Sequence, residues 1–215
     1  MRQFQGIWFP DEERHFPEWM AKNGQMVDGR GTYQYKKWLA CLPHIKNWRT
    51  AVDVGGHVGL WSLHMHKKFS KVHAFEPVPE FRECFVKNIS PEVLLYSCAL
   101  GSVHGFVRMS IDPQDTGGTH VDPSAESGAV PLRPLDEFDL QDVDFIKIDC
   151  EGYELQVLHG AVKTIERCKP CIIVEQKPHK LLPNFGIKGT PAVDYLKGMR
   201  AVVRKELSGD YICSW

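Results

Sequence analysis

Three short stretches hold residues whose types and spacing suit the handling of a charged nucleoside. In "AVDVGGHVGLWSLHMH" (51–66), an apolar strand ending in Asp53 runs into Gly55, Gly56, His57 and Gly59, and a helical pattern begins at about Val58. Glycines at such a turn let backbone approach a ligand closely. A dinucleotide turn would read G-x-G-x-x-G and seat pyrophosphate on the helix N-terminus. The order D-V-G-G-H-V-G differs, and a carboxylate two residues before the first glycine suits a cationic ligand better than an anionic one. The second stretch, "AFEP", ends a strand in Glu76, where a carboxylate reaches the ribose hydroxyls of any bound nucleoside. The third, "DFIKIDCEGYE", sets Asp149 and Glu151 at a strand tip, where a carboxylate can serve as a general base. His57 and His120 join them as candidate bases because imidazole titrates near neutrality.

These residues need a frame that brings distant strand ends together. From about residue 51 to 176, short apolar runs alternate with helical patterns, as in a parallel sheet covered on both faces. The predicted strands are "TAVDV" (50–54), "KVHAFE" (71–76), "VLLYSCA" (93–99), "DFIKID" (144–149) and "CIIVEQ" (171–176). Helical spacing marks "VGLWSLHMHKK", "PEFRECFVKNI" and "GYELQVLHGAVKTIERC", the last with Leu155, Leu158, Val162 and Ile165 on one stripe. Upstream, "TYQYKKWLACLPHI" reads as an amphipathic helix. Residues 1–30 read as irregular but aromatic, folding over a sheet edge or a pocket. The interval 101–143 reads as a strand followed by a long surface loop. After the fifth strand come the connection "KPHKLLPNFGIKGTP", a short helix at "AVDYLKGM", and a closing hairpin from "AVVRKEL" and "YICSW". The expected organisation is an N-terminal extension and helix over 1–49 and one globular domain over 50–215.

With 215 residues and 43% of them hydrophobic, the chain has material for one well-filled core. A net charge of -1 supplies no global pull toward phosphate backbones or anionic membranes. No run of eighteen apolar residues appears, and "MRQFQGIWFPDEERHF" lacks the apolar core of a signal peptide, so a cytoplasmic location and no membrane contact are expected. Seven cysteines, an odd number, form no disulfide framework. Cys168 and Cys171 have C-x-x-C spacing, but they fall where a helix ends and a strand begins and no second pair completes a zinc site, so both are expected to be packing residues.

The stretch "DFIKIDCEGYELQVLHGA", with "VDVGGHVGLWS", "AFEPVPE", "SCALGS" and "PCIIVEQ", resembles the FkbM-type family of S-adenosylmethionine-dependent methyltransferases. Five motifs in that family's order cover roughly residues 50 to 176, and the run I-D-x-E-G-x-E-x-x-V-L-x-G-A is the specific one. The resemblance implies the class I methyltransferase fold, a Rossmann-like, doubly wound, mainly parallel seven-stranded sheet with an antiparallel strand near one edge. It also implies roles. Asp53, Gly55, Gly56 and Gly59 would hold the amino acid end of the cofactor. Glu76, with Pro77 beside it, would take the ribose hydroxyls, and Cys98, Ala99 and Leu100 would border adenine. Asp149 would face both the methionyl part and the acceptor. His57 departs from the family, where asparagine or a similar small polar residue is expected; it would either replace that contact or simply be tolerated in a roomy loop.

In-line methyl transfer needs orientation and exclusion of water more than covalent help. The expected activity is O-methylation of a small molecule, sugar or glycan hydroxyl, with Asp149, Glu151 or His57 as base. Ribose 2'-O-methylation of RNA is a second reading, and a cofactor-binding module without catalysis a third. An NAD-type oxidoreductase is disfavoured by the glycine spacing. Magnesium held by Asp149, Glu175 and Gln176 is weighed and not favoured, and no metal ligands are assigned. The pairs Lys36 and Lys37, and Lys67 and Lys68, are expected to be solvated.

Overall fold

The computed structural model describes residues 1–177, 186 and 188–215. The connection expected at 177–191 therefore lies mostly outside the described residues. Seven strands form the central sheet: β1 (Thr50–Val54), β2 (Lys71–Phe75), β3 (Leu94–Tyr96), β4 (Val143–Ile148), β5 (Cys171–Glu175), β6 (Val202–Leu207) and β7 (Asp210–Ser214). Their order across the sheet is β6-β7-β5-β4-β1-β2-β3. β1 pairs in parallel with β2 and β4, β2 with β3, and β4 with β5, while β7 runs antiparallel to β5 and β6. This is the sheet that the family resemblance implies. Every residue of β1, β4 and β5 is buried, which explains why these strands read as continuous apolar runs rather than alternating ones.

The seven helices of the described residues are α1 (His15–Asn23), α2 (Tyr35–Cys41), α3 (Ser62–Met65), α4 (Pro79–Asn88), α5 (Glu154–His159), α6 (Val162–Cys168) and α7 (Pro191–Gly198). One face of the sheet packs on an aromatic cluster that includes Phe16, Trp38, Trp61, Phe85 and Phe145; the other packs on Leu158, Ile165 and Leu196 of α5 to α7. Among the described residues no helix is long and apolar enough to cross a membrane. The hairpin turn at Ser208 and Gly209 has φ of 54° and 86°, the left-handed pair that a two-residue type I′ loop requires.

Several elements differ from the sequence reading. The long helix over 153–168 is two helices, because a Cβ at Gly160 would stand 1.9 Å from the Gly101 carbonyl oxygen and the chain turns there. The third strand stops at Tyr96, and Ala99–Leu100 leaves the main sheet to pair with Val130–Arg133, which also pairs with Gly105–Val107. The helix after β1 starts at Ser62 rather than near Val58. Residues 1–30 are ordered by a hairpin (Arg2–Phe4 with Ile7–Phe9), α1 and a short ribbon (Met26–Val27 with Arg30–Gly31). The 101–143 interval holds its expected strand and an exposed loop, with residues 111–114 and much of 123–129 at the surface, but Met109–Ser110 also pairs with His120–Val121 and the 3₁₀ turn Thr116–Gly118 beside it folds inward. One of the lysines expected in water is not solvated: Lys37 pairs with the buried Asp210, while Lys67 meets Asp28 at the surface. All seven cysteines are free thiols, and burial pushes Cys171 up to about 12, which leaves that thiol unreactive at neutral pH.

Candidate functional site

The chain reverses direction across the sheet between β1 and β4, and ligands of open α/β sheets bind at such a switch point, outside the carboxyl ends of the strands. A pocket lies there, along the ends of β1, β2 and β4. Its floor is the turn after β1. The N–H groups of Gly55 and Gly56 both donate to the Phe75 carbonyl, at 3.1 and 3.0 Å, so the turn is stitched to β2. Gly55 has φ +75°, and a Cβ on it would meet the Asp149 carbonyl oxygen at 2.2 Å. Gly59 has φ +95°, and its Cβ would meet Ile89 Cγ1 at 2.5 Å. These two glycines are required by the loop after β4 and by α4 packing against the turn. Gly59 stands behind the wall, while Gly55 and Gly56 line it.

Glu76 follows β2 and is 4% exposed. Its Oε2 accepts the His57 N–H and its Oε1 the Val78 N–H, both at 2.8 Å. Burial outweighs these bonds and raises the carboxyl to about 7. Pro77, Cys98, Ala99 and Leu100 line the same pocket. His57 adopts φ +49°, stacks on Phe16 and meets Phe81 edge-on. Burial, then the charge of Lys147, lowers its imidazole to about 3. The ring is therefore neutral at physiological pH and is a hydrogen-bonding group rather than a strong base.

Lys147 organises the opposite side. Its Nζ donates to the Gly55 carbonyl at 3.0 Å and stands 3.7 Å from both Asp53 Oδ1 and Asp149 Oδ2. Burial works against its charge, but the two aspartates outweigh burial and hold its pKa above the usual lysine value. Asp53 is 0% exposed, accepts the Ser62 hydroxyl at 2.7 Å and does not line the pocket, so it stands behind Lys147 rather than on the wall. Asp149 and Glu151 do line it. Burial would raise Asp149, but Lys147, and then Lys177 and Lys37, hold it below the usual range. Glu175 goes the other way: burial first, then Asp149 and Glu151, push it up to about 9 despite Lys177. At neutral pH the cluster thus contains an ionised Asp149 beside a protonated Glu175.

Asp149, Glu151 and Glu175 bring one oxygen each within 4.8 Å of one another. The acid, acid, amide set weighed for magnesium does not form, however. Gln176 turns away, donating to Glu154 at 3.0 Å and accepting the Ala192 N–H at 3.1 Å. Lys147 and Lys177 already supply positive charge to Asp149 and Glu175, so the donor set does not fit a divalent cation. Glu154, the second glutamate of the D-C-E-G-Y-E stretch, accepts the N–H groups of Cys150 and Gly152 at 3.1 and 2.9 Å and shapes the loop that carries Glu151.

The pocket is covered by two segments. Phe16 and Tyr33 come from the N-terminal residues, and Met109, Thr116, Gly117, Thr119 and Val121 from the inward-folded ribbon. His120 does not line the pocket; its Nδ1 lies 2.8 Å from the Gly118 carbonyl. Glu13, 0% exposed, joins the segments by accepting the N–H of Phe16 at 2.8 Å and the N–H and hydroxyl of Thr116. Glu13 and Thr116 escape sequence reading, since "DEER" looks like a solvated charge run and "DTGGTH" like an ordinary loop. Lys147 did carry a signal: a lone lysine between apolar residues in a strand covered on both faces must have buried partners.

The family model of the methyltransferase FkbM domain matches residues 53–187, more than half of the chain. "Methyltransferase 1" of Beauveria bassiana (strain ARSEF 2860) is 26% identical over 141 residues, 51% of this chain and 57% of that protein. Methyltransferase sdnD of Sordaria araneosa is 26% identical over 152 residues, 51% of this chain and 59% of that protein. The match thus spans less than two thirds of either relative. Among solved structures, methyltransferase FkbM from Methylobacillus flagellatus KT superposes with a TM-score of 0.52 at 18% identity, covering 77% of this chain and 43% of that one. A chain of the fibrillarin/Nop5p complex gives 0.51 at 11% identity, over 100% and 99% of the two chains. At these identities the structural likeness is one of fold.

Proposed function

Because the chain belongs to the FkbM methyltransferase family, we propose that it transfers a methyl group from S-adenosylmethionine to a hydroxyl of a small molecule, sugar or glycan. When bound, S-adenosylmethionine supplies an electrophilic methyl carbon on a cationic sulfur. The residues at the switch point fit such a ligand: Glu76 offers a buried carboxylate for ribose hydroxyls, Cys98 to Leu100 an apolar wall for adenine, and Asp149 an ionised carboxylate for the cationic end. Asp53 acts indirectly, by holding Lys147 where it keeps Asp149 charged.

The observation that carries the reading is the placement of Asp149, a pocket-lining carboxylate whose Oδ2 stands 3.7 Å from the buried Lys147 ammonium. Asp149 would hold the acceptor by accepting the hydrogen of its hydroxyl, and would receive that proton once methylation has made the acceptor oxygen strongly acidic, a transfer that needs no strong base. Phe16, Tyr33 and the inward ribbon exclude water, which strengthens each of these contacts. Incubation of the purified protein with radiolabelled S-adenosylmethionine and a panel of hydroxylated small molecules, sugars and glycans tests the proposal. Transfer is expected to one class of acceptor, and Asp149→Asn is expected to melt like the parent and lose turnover. Full turnover in that variant would overturn the role.

A further inference from the structure

The bonds that reach His57 decide which ring nitrogen carries its hydrogen. Thr116 gives its hydroxyl hydrogen to Glu13 Oε2, the same oxygen that accepts the Thr116 N–H at 2.7 Å. A threonine hydroxyl has a single hydrogen. Toward His57 Nε2, 2.8 Å away, Thr116 Oγ1 can therefore only accept. Nε2 bears the hydrogen, and Nδ1 is left with a bare lone pair. That nitrogen is buried and has no hydrogen-bond partner among the described residues, and His57 lines the pocket. Buried polar atoms in native proteins are nearly always bonded, so the missing donor is one that arrives with a ligand. The backbone N–H of the same residue is bound by Glu76, which puts His57 beside the carboxylate that faces the ribose in the reading above.

We propose that His57 Nδ1 accepts a hydrogen bond from a ribose hydroxyl of the bound nucleoside, and that Glu13 and Thr116 are positioning residues that hold the ring in the Nε2–H tautomer for that contact. The proposal rests on the cofactor reading of the pocket, but its tautomer half does not. It assigns a task to Glu13, which lies outside the matched family region of 53–187. It also accounts for a histidine where relatives are expected to carry asparagine, since a longer side chain reaches a partner on the covering ribbon.

Long-range proton–nitrogen correlation spectra of the 15N-labelled full chain test both halves. His57→Asn identifies the signals, and asparagine tolerates the left-handed φ of +49° at this position. The expected spectrum is a neutral Nε2–H imidazole from pH 8 to pH 5, and a mixture of tautomers in Thr116→Val. Saturating S-adenosylhomocysteine is expected to move the Nδ1 resonance toward that of a hydrogen-bonded nitrogen. By calorimetry, Thr116→Val should bind it about tenfold more weakly, the worth of one hydrogen bond. A wild-type Nδ1–H tautomer would overturn the positioning chain even if the nucleoside binds. An Nδ1 resonance unmoved at saturation would overturn the ribose contact. Failure of the nucleoside to bind at all, with the tautomer as expected, would instead overturn the cofactor reading and the contact built on it.

Discussion

Replacing Lys147 by methionine isolates the group on which the charged side of the pocket depends. The substitution keeps the length of the stem and removes the ammonium that stands 3.7 Å from Asp53 and from Asp149 and bonds the Gly55 carbonyl at 3.0 Å. Removing one member of a buried ion pair costs about 3 to 5 kcal/mol, because the remaining charge stays buried without compensation. In a domain of this size each kcal/mol lowers the melting temperature by roughly 2 to 4 °C, so the expected loss is roughly 6 to 20 °C. The deficit depends on pH with a definite sign. In the parent, Asp149 lies below its ordinary value, and the stability this contributes is present above the unfolded pKa and lost as pH falls through the folded one. In the variant, burial without the cation raises both aspartates, and a raised carboxyl costs stability as pH rises above the unfolded value. The parent's contribution is complete by pH 5, so the gap widens from pH 5 to pH 8 through the variant's loss. Thermal melts followed by circular dichroism at both pH values measure it, and adding Asp53→Asn should recover part of the loss. A variant that melts within roughly 2 °C of the parent at pH 8 would refute the reasoning.

Glu76→Gln should weaken S-adenosylhomocysteine binding at least tenfold in calorimetry, since a charge-assisted bond contributes about 1.5 to 3 kcal/mol. With burial placing the parent carboxyl at about 7, affinity should also fall from pH 8 to pH 6, as the accepting form is lost. Glu175→Gln mimics the protonated acid; the parent's Glu175, raised mainly by burial to about 9, holds a proton that the unfolded chain releases above its ordinary value, so parent stability declines toward pH 9. Urea titrations should therefore show the variant gaining on the parent between pH 5 and pH 8. Gly55→Ala places a methyl group 2.2 Å from the Asp149 carbonyl at φ +75° and should sharply reduce soluble yield and melting temperature. Gly105→Ala, with nothing within 4 Å, should change stability by less than about 0.5 kcal/mol.

What sequence reading reached and missed follows from the range of the interactions. Gly55, Glu76, Asp149 and the buried strands around them are legible because each sits at a fixed offset within one strand–turn–helix unit. Asp53 was legible as a strand-end acid, but its partner was not: pairing with Lys147 requires β1 and β4 to be neighbours, a fact of topology. The break at Gly160 comes from the carbonyl of Gly101, 59 positions earlier in the chain, which no helical periodicity reveals. Lys37 looked solvated because the acid that buries it, Asp210, is 173 residues away. The inward fold of Thr116 depends on Glu13, 103 residues distant, and a loop composition of Asp, Thr and Gly carries no mark of such an anchor.

The segments that roof the pocket have partners late in the chain. Trp8 bonds a residue 80 positions on, Glu13 one 103 positions on, and Lys37 one 173 positions on. At a synthesis rate of roughly 5 to 20 residues per second, Lys37 leaves the ribosome roughly 10 to 35 seconds before Asp210 does. Residues 8–38 are thus made well before the partners that fix them, and in that interval Phe16, Trp19 and Trp38 have no finished surface to cover them. Chaperone demand during translation should accordingly centre on this segment, and slowing elongation before Asp210 should lengthen its exposure.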